Sequence, residues 1–279
     1  MADARPAPPP RRTTPPPTPA TAIQPVNPNR FAVVSGRKPG PQRVVIYGPG
    51  GIGKSSLAAH APSPVFLDIE SGTRELDVAR VEDVESFADL RACLQSSVLD
   101  RFQTVVVDSA TRVEEWATAY TLQTVKTEKG DTVTSVEGYG FGKGYQHVYD
   151  TFLLFLADCD RQVRAGRNVI LIAHDCTTDV PNPMGENFIR FEPHLQAPKS
   201  GKASIRNRVV QWADHVLFLG YDVLATKDGK GKGGGTRTIY PMERPDHIAK
   251  SRILSETMPF EHADDNAVWG LLFAQGGVR

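Results

Sequence analysis

The chain has 279 residues, with 32 lysines and arginines balanced by 32 aspartates and glutamates. That length holds one sizeable domain plus extensions, the 40% hydrophobic content suits a globular interior, and zero net charge means that any basic surface must be local. Cys93, Cys159 and Cys176 are odd in number and lack CxxC spacing, which speaks against a disulfide framework or a zinc site and for a reducing, cytoplasmic setting. No apolar leader and no run of about 18 apolar residues is present, so neither secretion nor a membrane span is expected.

Residues 1–30 carry 10 of the 22 prolines, interleaved with Ala, Thr and Arg. Such a segment buries too little apolar surface to offset its ordering entropy, so it is expected to be a disordered, partly polyproline tail. It is either simply solvated or a docking segment for a partner. From Arg43 the pattern changes to short, continuous apolar runs at 44–47, 64–68, 102–108, 168–173 and 215–219. Runs of this kind predict strands buried on both faces, as in a parallel sheet. Helix-like stretches lie between them at 55–60, 84–97 and 145–165. The alternation predicts an α/β fold, a mainly parallel twisted sheet with helices on both faces. A hairpin is expected near the end, 216–224 returning through 237–240 across a tip containing Lys227, Lys230 and Lys232, with Arg237 close by.

The run Gly48, Pro49, Gly50, Gly51, Ile52, Gly53, Lys54, Ser55 satisfies GxxxxGK[ST], follows the first strand and opens a helix, with Ser56 next in line. Glycines let successive N–H groups converge on phosphate oxygens, and the following helix points its positive end at them. Lys54 supplies a charge for the β- and γ-phosphates, and Ser55 a hydroxyl for Mg²⁺. The expected ligands are therefore ATP, or a close purine relative, and Mg²⁺. The same stretch contains GxGxxG, and Asp68 ends the next strand, as a dinucleotide site would require. Lys54 and Ser55 decide against that rival. Asp108, closing the third strand, is the expected carboxylate for the magnesium shell. Ser109 follows it where a glutamate often stands, so the catalytic base must come from elsewhere; Glu70, just past the second strand, is the candidate. A solvated loop carboxylate or a helix cap is the plainer alternative for Glu70. His174, at the end of the fourth strand, is placed to touch the γ-phosphate and report its presence, or is structural.

Residues 66–70, 105–109 and the polar His174 resemble the glutamate strand, magnesium strand and sensor position of the RecA core. From about residue 43 to 272 the chain is similar to phage-encoded RecA-like ATPases of the single-strand annealing type, with blocks such as GPGGIGKSSLA, FLDIESGTREL and VVVDSATR. The resemblance implies one RecA-like ATPase domain over 31–279, acting on single-stranded DNA in recombination. It also implies a homo-oligomer, as a ring or short filament, with a single-strand-binding protein as a further partner. Lys250 and Arg252 resemble the basic pair that reaches a neighbouring subunit's nucleotide; the alternative is a surface pair on an edge strand. His174 and Arg252 depart from bacterial RecA, and no long N-terminal polymerising helix is present, which favours annealing over full strand exchange.

In RecA-like cores two loops line the DNA path. The first corresponds here to about 126–147, where Tyr139, Phe141 and Lys143 sit among glycines. Exposed aromatics stack on bases whatever the sequence, and a lysine holds phosphate; a glycine turn with its aromatics packed inward is the alternative. The second corresponds to about 176–208, with Lys199, Lys202, Arg206 and Arg208 in a stretch free of acids between Glu192 and Asp214. A solvated face explains that stretch equally simply. Two other functions stay open: a nucleotide-gated loader acting through protein partners, and a small-molecule kinase, which would need an arginine-rich lid that is not evident.

Overall fold

The computed structural model describes Val33, 35–36, 40–199, 202–225, 231–260 and 267–273. The chain divides into Met1–Lys38 and Pro39–Arg279. The tail expected over 1–30, and Lys227 and Lys230 of the hairpin tip, lie outside the described residues.

In chain order the strands are β1 (Arg43–Tyr47), β2 (Pro64–Asp68), β3 (Ala79–Arg80), β4 (Thr104–Asp108), β5 (Asn168–Ala173), β6 (Asp175–Val180), β7 (Phe188–Pro193), β8 (His215–Ala225), β9 (Gly231–Tyr240) and β10 (Met258–Pro259). The helices are α1 (Lys54–Ala59), α2 (Phe87–Gln95), α3 (Ala110–Thr124), α4 (Lys143–Arg164), α5 (Ile205–Trp212) and α6 (Ala267–Phe273). One sheet has the order β10-β9-β8-β1-β5-β4-β2-β3; β6 and β7 form a separate two-stranded sheet. Strands β8, β1, β5, β4, β2 and β3 pair in parallel, while β9 runs antiparallel to β8 and β10. This is the α/β architecture expected from the sequence, a mainly parallel sheet with helices on both faces, including the C-terminal hairpin, here β8–β9.

The continuous apolar strands are explained by burial on two sides. Val45, Tyr47, Val105, Val107, Val169 and Leu171 face one core, which α2, α3, α4 and α5 close with residues such as Leu90, Val113, Phe152 and Val209. Val44, Ile46, Val106, Ile170 and Ile172 face the other, covered by Leu57 of α1 and Trp269 of α6. Each aliphatic side chain so buried contributes about 1.5–3 kcal/mol relative to exposure. The indole Nε1 of Trp269 donates to the Leu57 carbonyl at 2.7 Å, fastening α6 to the end of α1.

Register then sets the site. Tyr47 lies level with Ala173, Ile172 with Asp108, and Asp108 with Asp68. The residues leaving β1, β2, β4 and β5 therefore emerge along one edge, the edge at which open α/β sheets bind ligands.

Candidate active site

The loop after β1 approaches β8 so closely that a Cβ on Gly48 would stand 2.2 Å from the Leu219 carbonyl oxygen. Only glycine fits there. Lys54, the first residue of α1, is buried, and its Nζ donates to the carbonyls of Gly48 (2.7 Å) and Pro49 (2.9 Å) across the loop. Burial lowers its pKa, an effect opposed by Asp175, Asp108 and Glu70. The carboxylates thus offset part of the cost of desolvating a cation where phosphate would bind.

Ser55 Oγ donates to Asp108 Oδ2 at 2.5 Å. Asp108 is buried, and desolvation raises its pKa against the Ser55 hydrogen bond, while Glu70 and Asp68 add negative charge. A cation beside it would relieve that cost. One hydroxyl and one carboxylate, both hard oxygen donors, fit Mg²⁺, which commonly takes few protein ligands and completes its shell with phosphate and water. Among the described residues there is no cluster of three or more His, Cys, Asp or Glu that could hold a metal by itself.

Glu70 is neither a helix cap nor a freely solvated loop carboxylate. Ser109 Oγ donates to Glu70 Oε1 in a short hydrogen bond. His174 Nε2 lies 3.1 Å from Oε2 and 3.3 Å from Oε1 of the same carboxylate. Both side chains keep solvent contact, 29% for Glu70 and 43% for His174. The turn carrying Glu70 is fixed by its neighbours. Asp68 accepts from the N–H groups of Gly72 and Thr73, both at 2.9 Å, and Arg80 Nε donates to Thr73 Oγ1 at 2.7 Å.

Three contributors escaped the sequence reading. Ser109 both orients Glu70 and caps α3 by accepting from Arg112 N at 3.2 Å. Thr111 Oγ1 accepts from His174 N at 3.1 Å and donates to the His194 carbonyl at 3.2 Å, so it pins the strand end that presents His174. Asp175 supports the charge of Lys54. A serine followed by a helix was the legible sign for Ser109 as a cap; its second role depends on β2 lying beside β4.

The structure does not bring Lys250 and Arg252 to this edge. Lys250 bridges Val216, itself level with Val45, and Arg252 Nε is 3.4 Å from Asp214 Oδ1. Asp214 N bonds the Arg43 carbonyl, so the pair sits by the start of β1, away from the loop of its own chain.

The DNA candidates separate. Phe141 is fully exposed at φ 50°, between Gly140 (φ 72°) and Gly142 (φ 73°). Tyr139 is half-buried, its hydroxyl donating to the carbonyls of Val125 (2.7 Å) and Thr121 (3.2 Å). Lys143 Nζ lies 2.6 Å from Glu128 Oε1. The second expected loop is in large part the β6–β7 hairpin and α5. Lys199, Lys202 and Arg208 are exposed, but Arg206 corrects the expectation of a free basic group. It is buried, ion-paired with Glu192, and donates to the Leu195 carbonyl at 3.1 Å. Glu192, the acid bounding the basic stretch in sequence, is what draws it inward.

A mainly parallel sheet whose strand ends present a phosphate loop and a serine–aspartate pair defines a P-loop NTPase domain. The chain belongs to the AAA domain family, whose model matches residues 40–253. It is similar to the SPbeta prophage-derived uncharacterized protein YorG of Bacillus subtilis (strain 168), at 23% identity over 63% of this chain. The match spans 50% of that relative's length. Among solved structures it is similar to the KaiC-like protein PH0186 from Pyrococcus horikoshii OT3, at 16% identity and a TM-score of 0.42, over 81% of this chain and 88% of that one. No helix among the described residues is long and apolar enough to cross a membrane.

Proposed function

We propose that this protein hydrolyses ATP to ADP and phosphate and uses the cycle to act on single-stranded DNA, in strand annealing and repair of the phage recombination type. The observation that carries the hydrolytic half is the Glu70 carboxylate, held by Ser109 and His174 on the same sheet edge as Lys54, Ser55 and Asp108. Loop N–H groups and Lys54 bind the β- and γ-phosphates. Ser55 and Asp108 hold Mg²⁺, which when bound neutralises charge on the phosphate oxygens. Glu70 takes a proton from the attacking water as its oxygen bonds to the γ-phosphorus. The bond from that phosphorus to the bridging oxygen breaks, and ADP leaves with the electron pair. His174, in contact with Glu70, is positioned to exchange that contact for the γ-phosphate and so to signal its loss through Thr111 and the base of the β6–β7 hairpin.

The nucleic-acid half is supported by the exposed Phe141, which lines a groove of about 580 Å³ where Lys126, Lys129, Lys143 and His147 stand alongside the acids Glu128 and Asp131. The exposed Lys199, Lys202 and Arg208 add local positive charge to a neutral chain. The prophage origin in the name of the Bacillus relative fits a phage setting, in the host cytoplasm. A homo-oligomer would let Lys250 and Arg252 serve a neighbour's γ-phosphate. Mixing Lys54→Ala protein with the Lys250→Ala/Arg252→Ala variant should then restore ATPase activity, and no recovery despite subunit exchange would remove that role.

The test is retention on single-stranded DNA with and without ATP. ATP-dependent retention supports the proposal. Absence of retention in both states favours the second reading, a loader working through protein partners, for which the exposed Met184 and Ile189 of the β6–β7 hairpin provide apolar contact surface.

A further inference from the structure

The basic hairpin β8–β9 does more than border the sheet. Arg237 of β9 turns toward the phosphate loop, and its Nη1 donates to the Ile52 carbonyl at 2.9 Å. We propose that Arg237 is a positioning residue of the phosphate loop, holding the Ile52–Gly53 peptide in the orientation that presents the Gly53 N–H to the nucleotide's phosphates. The inference rests on the reading of residues 48–55 as a phosphate site.

In a trans peptide the carbonyl and the following N–H point to opposite sides of the chain. A donor that fixes the Ile52 carbonyl on the β9 side therefore fixes the Gly53 N–H on the side away from β9. Gly53 has φ 104° and ψ 25°, a left-handed conformation in which side chains are disfavoured. Such a glycine leaves its flanking peptides free to rotate unless something holds them. A charge-assisted hydrogen bond is the stronger kind of restraint, and a cation on the carbonyl oxygen further polarises the same peptide's N–H as a donor.

The arginine is itself held. Its guanidinium carbon lies 4.5 Å from the centroid of the Phe260 ring, a cation–π contact. Phe260 is fully buried, and its N–H donates to the Arg237 carbonyl at 2.7 Å, next to the Pro259–Thr238 pairing of β10 with β9. The clamp closes directly on the loop: a Cβ on Gly53 would lie 2.7 Å from Arg237 Nη1 and 2.9 Å from Phe260 Cε1. A side chain at 53 is thus disfavoured by backbone angle and would also crowd this pair. A contact with the base instead of the loop is the alternative role for the same guanidinium, and it makes a different prediction.

The experiment measures the affinity of wild type, Arg237→Ala and Arg237→Lys for ATP, GTP and inorganic tripolyphosphate, with thermal melting of each protein alongside. A positioning role predicts that Arg237→Ala weakens all three ligands by a common factor of about tenfold, the size of about 1.4 kcal/mol. Arg237→Lys, which keeps a cation and one donor, should fall between the two. It also serves as the informative variant if Arg237→Ala does not fold. A loss confined to ATP or GTP with tripolyphosphate unaffected would assign Arg237 to the base and overturn the proposal. Unchanged affinities in a folded variant would overturn it as well. Wild-type protein that binds neither ATP nor tripolyphosphate would overturn the phosphate-site reading beneath it, a result distinct from the other two.

Discussion

The sheet edge and the segment joining α3 to α4 are built from the same kinds of residue, yet they are organised oppositely. At the edge, Lys54, Ser55, Asp108 and Glu70 leave strands buried on both faces, and every one of them has a polar partner within the site. In the joining segment Tyr139 is tied down through its hydroxyl, Lys143 is paired with Glu128, and Phe141 alone of the three projects free of the surface. The first region is preorganised, with reorganisation already met by folding. The second leaves an aromatic face exposed, which is the feature that the proposed single-strand binding would use. A motif is a safe guide where strand ends fix its side chains, and a poor one where each side chain can find its own local partner.

The largest effect expected lies at the preorganised edge. Lys54→Ala should lower ATP turnover about 10³-fold or more, the scale seen for cations at transferring phosphoryl groups, while circular dichroism and melting remain those of a folded protein. Wild-type turnover and ATP affinity in this variant would break the assignment of the edge.

The contrast sharpens in a pair of substitutions outside it. Arg206→Ala leaves the buried Glu192 with only Arg190, and should cost about 3 kcal/mol of stability in a denaturant titration while leaving the salt dependence of DNA binding unchanged. Phe141→Ala should do the reverse, with unchanged stability and about tenfold weaker binding of single strands. Neutralising Lys199, Lys202 and Arg208 should weaken binding to all sequences alike and flatten its salt dependence. A DNA defect in Arg206→Ala without loss of stability would contradict its placement in the interior.

The smallest effect concerns pH. Glu114 of α3 accepts from Gln196 N at 2.6 Å, and burial raises its pKa from 4.5 to about 7, against the lowering by that hydrogen bond and by Arg206; the neighbouring Glu115 raises it further. A carboxyl raised in the folded state ionises first in the unfolded chain. Its contribution to stability is therefore full below about pH 4.5 and is lost as pH rises through 7. Glu114→Gln keeps an acceptor and removes the titration. Its melting temperature relative to wild type should climb between pH 5 and pH 8, and a difference independent of pH would place the titration elsewhere.

Much of this was legible because the chemistry is local or the burial is two-sided. Continuous runs such as Val44, Val45 and Ile46 disclosed the strands, and GxxxxGK[ST] the loop. Helix α3 was missed because its buried face is Val113, Ala117 and Thr121, too weakly apolar to stand out; Thr121 Oγ1 is satisfied by Thr151 at 2.8 Å. The β6–β7 hairpin was missed because Asp175–Val180 is polar and only half-buried, so the segment read as a loop. Arg237 was grouped with the hairpin tip because charge spacing does not reveal which way a β-strand residue turns. The inward turn of Arg206 depends on Glu192, 14 residues earlier and placed by a different element.

The proposed base is Glu70, held by Ser109 and His174. The direct measurement is ATP turnover by Glu70→Gln with bound ATP quantified in the same samples. The glutamine keeps an acceptor for Ser109 but cannot take the water's proton. A general base at Glu70 predicts ATP affinity near that of wild type and turnover lower by about 10²-fold or more. Turnover within a few-fold of wild type, with ATP bound normally, would contradict it and move the base to another residue.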